Sequence, residues 1–192
     1  MLVLASKSPR RREILTAAGI EFIVRNADLI EERDPGETPE NYVRRLAEAK
    51  ASVVERGSDE IVLGADTEVV IDGEVLGKPK DPADAARMLR LLSGREHEVI
   101  TGICLFAEGR KIVDSARTRV RFVRLTSREI EEYVNSGEPM DKAGAYAIQG
   151  LASKFIVDIE GEYFNIVGLP VALVYRHLKS LEIAFADSTH GS

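Results

Sequence analysis

Leu2-Val3-Leu4-Ala5-Ser6-Lys7-Ser8-Pro9-Arg10-Arg11-Arg12-Glu13-Ile14-Leu15-Thr16-Ala17-Ala18-Gly19 passes from strand to helix within four residues. Leu2 to Ala5 reads as a short, fully buried strand. Ser8-Pro9 opens a helix, because serine caps well and proline suits the first helical position. Gly19 closes it. Extended and helical patterns then keep alternating, which predicts an α/β chain. Phe22 to Arg25 reads as a second short strand, followed by an acidic loop over 26–37. Thr38-Pro39 starts a helix running to about Arg56. Glu60 to Asp66 reads as an apolar strand that ends in its carboxylate. Val69 to Ile71 and Val75-Leu76 flank Asp72-Gly73, a strong hairpin signal.

Asp81-Pro82 caps a helix ending near Ser93-Gly94, and two long strands follow over 99–107 and 112–125. Thr126-Ser127-Arg128-Glu129 is a capping box for a helix that stops at Gly137. Phe155 to Ile159 reads as a strand and Pro170 to about Leu181 as the last helix. No Pro/Gly/Ser linker divides the chain. The expectation is one domain over 1–186 and a polar, frayed tail over 187–192.

The chain has 192 residues, 44% of them apolar and 30% charged, with a formal net charge of −6. A chain of this size buries enough surface to fold without staples. The acidic balance argues against a long nucleic acid as partner, which calls for a basic surface. No apolar run is long enough to span a membrane, and Met1 to Ala5 is too short for a signal peptide. A cytoplasmic protein is therefore expected. Cys104 is the one cysteine and reads as a small core hydrophobe. His97, His177 and His190 are scattered and read as non-catalytic. There is no P-loop, no dinucleotide fingerprint and no HExxH. Chemistry must rest on carboxylates, Lys, Arg and hydroxyls.

Four segments concentrate those groups. At Ser6 to Arg12, free N–H groups of a helix start, two hydroxyls and the forks of Arg10 and Arg11 suit an anion. Arg11 shares a helical face with Ile14 and Leu15, so its charge needs a partner in the interior. Lys50 falls in the apolar stripe of Val43, Leu46, Ala47 and Val54. It either snorkels outward or points into a cleft. Gly64-Ala65-Asp66-Thr67 ends a strand with a carboxylate, able to bind Mg²⁺ or orient a water. Eleven residues after Asp66 comes Gly77-Lys78-Pro79, either a surface turn or a loop presenting Lys78. Asp141 to Gly150 brackets Ile148 with glycines, and Gln149 offers donor and acceptor together, as reading a pyrimidine edge requires. Gly161 to Pro170 is similarly dense in special residues. Cations for phosphate, acids for a metal and an amide for a base form the inventory of phosphoanhydride chemistry.

Leu4-Ala5-Ser6 with Ser8-Pro9-Arg10-Arg11, Gly64-Ala65-Asp66-Thr67, Gly77-Lys78-Pro79, Leu92-Ser93-Gly94 with Thr101-Gly102, Asp141 to Tyr146 and Asn165 to Pro170 resemble the Maf family of nucleoside triphosphate pyrophosphatases. The motifs run in family order over about residues 2 to 182. The resemblance implies a two-lobed α/β fold like that of inosine triphosphate pyrophosphatases, with a long mixed β-sheet, flanking helices and a central cleft. It implies hydrolysis to the monophosphate and pyrophosphate with Mg²⁺ or Mn²⁺. Asp66 matches the family's proton acceptor. Ser6, Ser8, Arg10, Arg11, Lys50 and Lys78 would bind the triphosphate, and Glu31 or Glu32 would hold metal with Asp66. Arg10, Thr67 and Gln149 match specificity positions, the last two resembling the dTTP/UTP branch.

Ala147, where the family usually has Gly, would narrow the pocket near Gln149. The same chemistry on 7-methyl-GTP or a modified nucleotide, and a non-enzymatic role in septum formation, are the competing readings. The resemblance also suggests a homodimer.

Overall fold

The computed structural model describes residues 1–189. Strands β1 (Leu2–Ala5) and β2 (Phe22–Val24) are separated by helix α1 (Pro9–Ala17). Helix α2 (Pro39–Ser52) leads to β3 (Ile61–Ile71) and β4 (Glu74–Leu76). Then come α3 (Pro82–Leu92), β5 (Glu96–Ala107), β6 (Arg110–Phe122), α4 (Ser127–Asn135), β7 (Ile156–Glu160), α5 (Tyr163–Val167) and α6 (Val171–Thr189). Seven strands make one mixed sheet in the order β2-β1-β3-β5-β6-β7, with β4 on β3. β1 runs parallel to β2 and β3, and the other pairings are antiparallel.

Two cores sit at opposite ends of β3 and give the expected two lobes. One gathers Leu4, Leu15, Leu63, Ile103, Leu169 and Val174 around α1 and α6. The other gathers Leu76, Leu89, Leu92, Phe122, Tyr133 and Phe155 around α3 and α4. The predicted caps form. Thr38 Oγ1 accepts from Asn41 N at 3.3 Å, Asp81 from Asp84 N at 2.8 Å, and Thr126 with Glu129 closes a capping box. Asp72 and Gly73 both take positive φ, 51° and 80°, as a two-residue hairpin turn requires.

Several boundaries differ from the sequence reading. β3 does not end at Asp66 but continues to Ile71, because β5 pairs with it without interruption to Val70↔Glu98. Its other edge is what ends. β1 stops at Ala5↔Gly64, and β4 starts only at Val69↔Leu76. Ala65 to Glu68 therefore face a gap in the sheet, and the cleft opens there. β5 and β6 pair from Glu96↔Arg121 to Ala107↔Arg110, so the second long strand ends at Phe122 rather than 125. Helix α2 ends earlier than expected, at Ser52. The segment 138–155 winds into three 3₁₀ turns, and Tyr163–Val167 forms the short α5. The last helix continues to Thr189, with no Gly or Pro between Leu181 and Thr189 to stop it. Residues 187–189 of the expected tail are thus helical, and 190–192 lie outside the described residues.

Helix α2 lies unusually close to the sheet. A Cβ on Gly64 would stand 2.1 Å from the Ala47 carbonyl oxygen, and one on Gly102 2.3 Å from that of Val43. Only glycine admits this contact, which brings Lys50 within reach of β3. Gly102→Ala is expected to cost about 2 kcal/mol or more, roughly 4–8 °C in Tm. Thermal melts beside Gly57→Ala, which meets only the Glu60 side chain at 3.4 Å, check this. Equal melting of the two variants contradicts the packing argument.

His97 is buried in the α3/α4 lobe, where Nε2 shares a hydrogen bond with Tyr146 Oη at 2.9 Å. Burial lowers its pKa from 6.5 to about 4. The unfolded imidazole gains its proton near 6.5 and the folded one only near 4, so acidification favours unfolding across that window. The loss is on the order of 3 kcal/mol by pH 4. His97→Gln should flatten this part of the Tm–pH profile; an unchanged slope would remove His97 as its cause.

Candidate active site

The cleft at the β3 gap has a volume of about 360 Å³, within the usual range for small-molecule sites. It joins a second compartment of about 320 Å³ under the start of α1. The two differ in lining. The first adds Tyr42, Val69, Val99, Tyr146, Gln149 and Ile166. The second adds Ser6, Lys7 and the β1–α1 turn. Ser8, Arg10, Arg11, Glu31, Lys50, Lys78 and Asp141 belong to both.

Lys50 points inward. Its ammonium bridges Asp66 Oδ1 at 2.7 Å and Glu31 Oε1 at 2.6 Å. The helical register that places Lys50 among Val43, Leu46 and Ala47 aims it at the sheet, and α2 lies too close for the stem to turn away. Burial pushes the Asp66 carboxyl above its ordinary pKa, while Lys50 and Arg11 pull it back. Asp66 Oδ2 is buried and has no partner.

Arg11 is the second inward cation. Its Nε donates to the Gly168 carbonyl at 2.8 Å, Nη1 to Ser6 Oγ at 3.1 Å and Nη2 to Thr67 Oγ1 at 3.2 Å. Burial lowers its pKa, and Asp66 and Glu31 oppose that shift. Three of its five donors are thereby committed, so Arg11 ties α1 to β3 and to the loop after α5. Thr67 Oγ1 also lies 2.9 Å from Thr101 Oγ1 and 3.3 Å from the Gly168 carbonyl. The predicted specificity threonine is thus held by three neighbouring polar groups and shares Arg11 with Ser6 of the β1–α1 turn.

Ser8 caps α1 without spending its hydroxyl on the helix. Arg10 reaches Asp141 at 3.4 Å, and Lys7 pairs with Asp28 at the exposed rim of the second compartment. Lys78 stands exposed at the cleft and forms no ion pair among the described residues. Gln149 lines the wall opposite. Ala147 lines it too, and its N–H donates to Tyr133 Oη at 3.1 Å. The two acidic candidates separate. Glu31 reaches Lys50, whereas Glu32 offers its backbone carbonyl to Arg45 at 2.9 Å.

Glu68 is the main residue that sequence reading missed. It lies two positions beyond Asp66, on the same face of β3, and is 9% exposed. Burial first, then Asp66 and Glu31, raise its pKa to about 8. Its Oε2 is buried without a partner. The signal was a charged residue at i+2 within an otherwise apolar strand. The expectation that the strand ended at Asp66 hid it. Asn165, singled out within Gly161 to Pro170 without a role, gains one here. Buried completely, it donates through Nδ2 to the Val99 carbonyl and Thr118 Oγ1, both at 3.0 Å, and fixes the α5 turn that presents Gly168.

Among the described residues no three His, Cys, Asp or Glu side chains converge into a preformed metal site. The unpartnered buried oxygens of Asp66 and Glu68 nonetheless suit a hard cation. Mg²⁺ commonly takes one or two carboxylates and completes its shell with water and phosphate. Cys104 is buried, and burial raises its pKa to about 12, so it is a core residue. His177 pairs with Asp114 at 2.8 Å, away from the cleft. No helix is long and apolar enough to cross a membrane among the described residues.

Fold and site together define a mixed-sheet α/β protein with a cleft lined by Arg and Lys side chains and floored by carboxylates. The chain belongs to the Maf family: residues 1–181 match its model, described as Maf-like protein. It is 51% identical over 179 residues to the dTTP/UTP pyrophosphatase of Koribacter versatilis, covering 93% of each chain. It is 52% identical over 181 residues to that of Citrifermentans bemidjiense, covering 93% of this chain and 94% of the other. With that of Bacillus cereus the identity is 46% over 190 residues, covering 98% of each. A nucleoside-triphosphatase / dITP/XTP pyrophosphatase from Mycobacterium abscessus resembles it at a TM-score of 0.40 and 18% identity, over 65% of this chain and 74% of that one.

Removing one member of the Lys50–Asp66 pair leaves a buried polar group alone. Lys50→Met is expected to destabilise by about 3 kcal/mol. The double variant with Asp66→Asn should lose clearly less than the sum of the single losses. Denaturant unfolding of the four proteins checks this, and strict additivity contradicts the coupling.

Proposed function

We propose that this chain hydrolyses nucleoside triphosphates, dTTP and UTP first among them, to the monophosphate and pyrophosphate. The observation that carries the reading is the divided cleft. Arg10, Arg11, Lys50 and Lys78 line both compartments, the turn into α1 lines one, and aromatic and apolar groups with Gln149 and Asp66 line the other. The names of the relatives support the same substrates.

In this reading the start of α1, with Ser6, Ser8 and Arg10, receives the triphosphate. Lys78 meets it from the facing loop, and Lys50 adds charge at the centre. Arg11 contributes its remaining donors and keeps Ser6 and Thr67 in register. Glu31 and Asp66 are the residues that would hold Mg²⁺ or Mn²⁺; Glu31 lines the cleft and Glu32 does not. The chemistry that ion supplies is neutralisation of phosphate charge. Asp66 orients a water toward the α-phosphorus and accepts its proton, and pyrophosphate departs along the compartment under α1. Thr67 and Gln149 read the pyrimidine, with Arg10 as the third specificity position. A homodimer and a cytoplasmic setting belong to the same reading.

Pyrophosphate release from purified protein with Mg²⁺ tests it, across dTTP, UTP, 7-methyl-GTP and modified nucleotides. Asp66→Asn is expected to lower kcat by about 10³-fold, the scale of a lost general base. Full activity of that variant would overturn the role of Asp66. Turnover of dTTP and UTP no faster than of the other nucleotides would overturn the reading of Thr67 and Gln149.

A further inference from the structure

Glu68 has no task in the mechanism above, yet it lines the same cleft as Asp66. Successive side chains of a strand alternate between faces, so residues at i and i+2 stand side by side. Asp66 and Glu68 are 4% and 9% exposed, and each keeps one carboxylate oxygen that is buried and unpartnered. The cations at hand do not satisfy both. Lys50 is shared between Glu31 and Asp66 Oδ1. Lys78 is near enough to act on Glu68 through its charge but makes no ion pair. Glu68 Oε2 also faces Gly77, where an added Cβ would stand 3.7 Å away, so the loop carrying Lys78 closes over the pair.

Two adjacent carboxylates held out of water with open lone pairs are costly unless a cation compensates. No backbone N–H donates to either open oxygen. Of the nearby side-chain donors, Arg11 is turned to Gly168, Ser6 and Thr67 and Lys50 to Glu31 and Asp66 Oδ1, and none reaches either open oxygen. A divalent ion with waters in its remaining positions meets the requirement without moving the sheet.

We propose that Glu68 and Asp66 together form a divalent-cation site that fills before nucleotide arrives, with Glu68 as a ligand beyond Asp66 and Glu31. This rests on the reading that a nucleotide's metal is drawn to this cleft and assigns a further residue to holding it. Rigid strand geometry fixes the two carboxylates, whereas Glu31 comes from an irregular loop and is half exposed at 46%. The site on β3 therefore exists in the free enzyme, and Glu31 adds to it from the loop.

The test is Mn²⁺ titration of the full-length, nucleotide-free protein, followed by loss of the free Mn²⁺ EPR signal. Wild type is expected to bind, and Glu68→Gln to weaken binding by about 10-fold or more, the scale of a disturbed ligand shell. The half-saturating metal concentration for dTTP hydrolysis should rise by a similar factor. Glu68→Asp should recover part of the affinity, which a merely structural role would not produce. Glutamine keeps the volume of glutamate, and Glu68→Asp read alone serves if Glu68→Gln does not fold, with weakened Mn²⁺ binding as its expected result.

Wild-type affinity in Glu68→Gln, or no Mn²⁺ binding by the nucleotide-free wild type, overturns the proposal. Loss of binding in Glu68→Gln together with no pyrophosphate release by the wild type from any nucleotide would keep the cation site. That outcome would overturn the proposed reaction instead.

Discussion

An ammonium and a carboxylate 2.7 Å apart and out of water, Lys50 against Asp66, decide how this molecule is put together. A buried pair of this kind survives only with good geometry and further hydrogen bonds. The geometry comes from Gly64 and Gly102, which let the backbone of α2 settle on the sheet. The space comes from the missing neighbour beside Ala65 to Glu68, where β1 has ended and β4 has not begun. Arg11 braces the arrangement from the other face of β3 through Thr67 and Gly168. A change in any of these alters where the central charges sit.

The site is electrostatically unfinished in the protein alone. Inward cations are spent on internal partners, while Asp66 and Glu68 keep open oxygens and raised pKa values. Arg10 and Lys78 stand at the rim, one loosely paired and one unpaired among the described residues. A divalent cation on the carboxylates and a polyanion on the cations together meet both kinds of deficit. The chain's net charge of −6 is compatible with this, because the cleft is a local cluster and not a surface. What that average does disfavour is the broad basic face a long nucleic acid needs.

Much of this was legible in the sequence because local chemistry dictated it. The strand–turn–helix at the N-terminus, the Asp72-Gly73 turn and the helix caps depend on neighbours in the chain. Lys50 was readable as an exception within an apolar stripe, and Arg11 likewise. What was hidden depended on distant partners. β3 continues past Asp66 because β5 lies beside it, and no local signal in Thr67-Glu68 announces that. Glu68 was overlooked for the same reason, as its face is defined only once the strand continues. The 3₁₀ turns over 138–155 and the five-residue α5 have too few residues for periodicity to show. Their places are set by long-range contacts, such as Gly144 N to the Gly77 carbonyl at 3.1 Å and Asn165 to β5 and β6.

The central claim is that the carboxylate at the β3 gap directs water onto the α-phosphorus of a nucleotide whose outer phosphates lie under α1. Hydrolysis of dTTP with Mg²⁺ in ¹⁸O-enriched water, followed by ³¹P NMR of the products, tests it most directly. The account predicts dTMP carrying the heavy oxygen and unlabelled pyrophosphate. Label in pyrophosphate, or release of dTDP and orthophosphate, would contradict it.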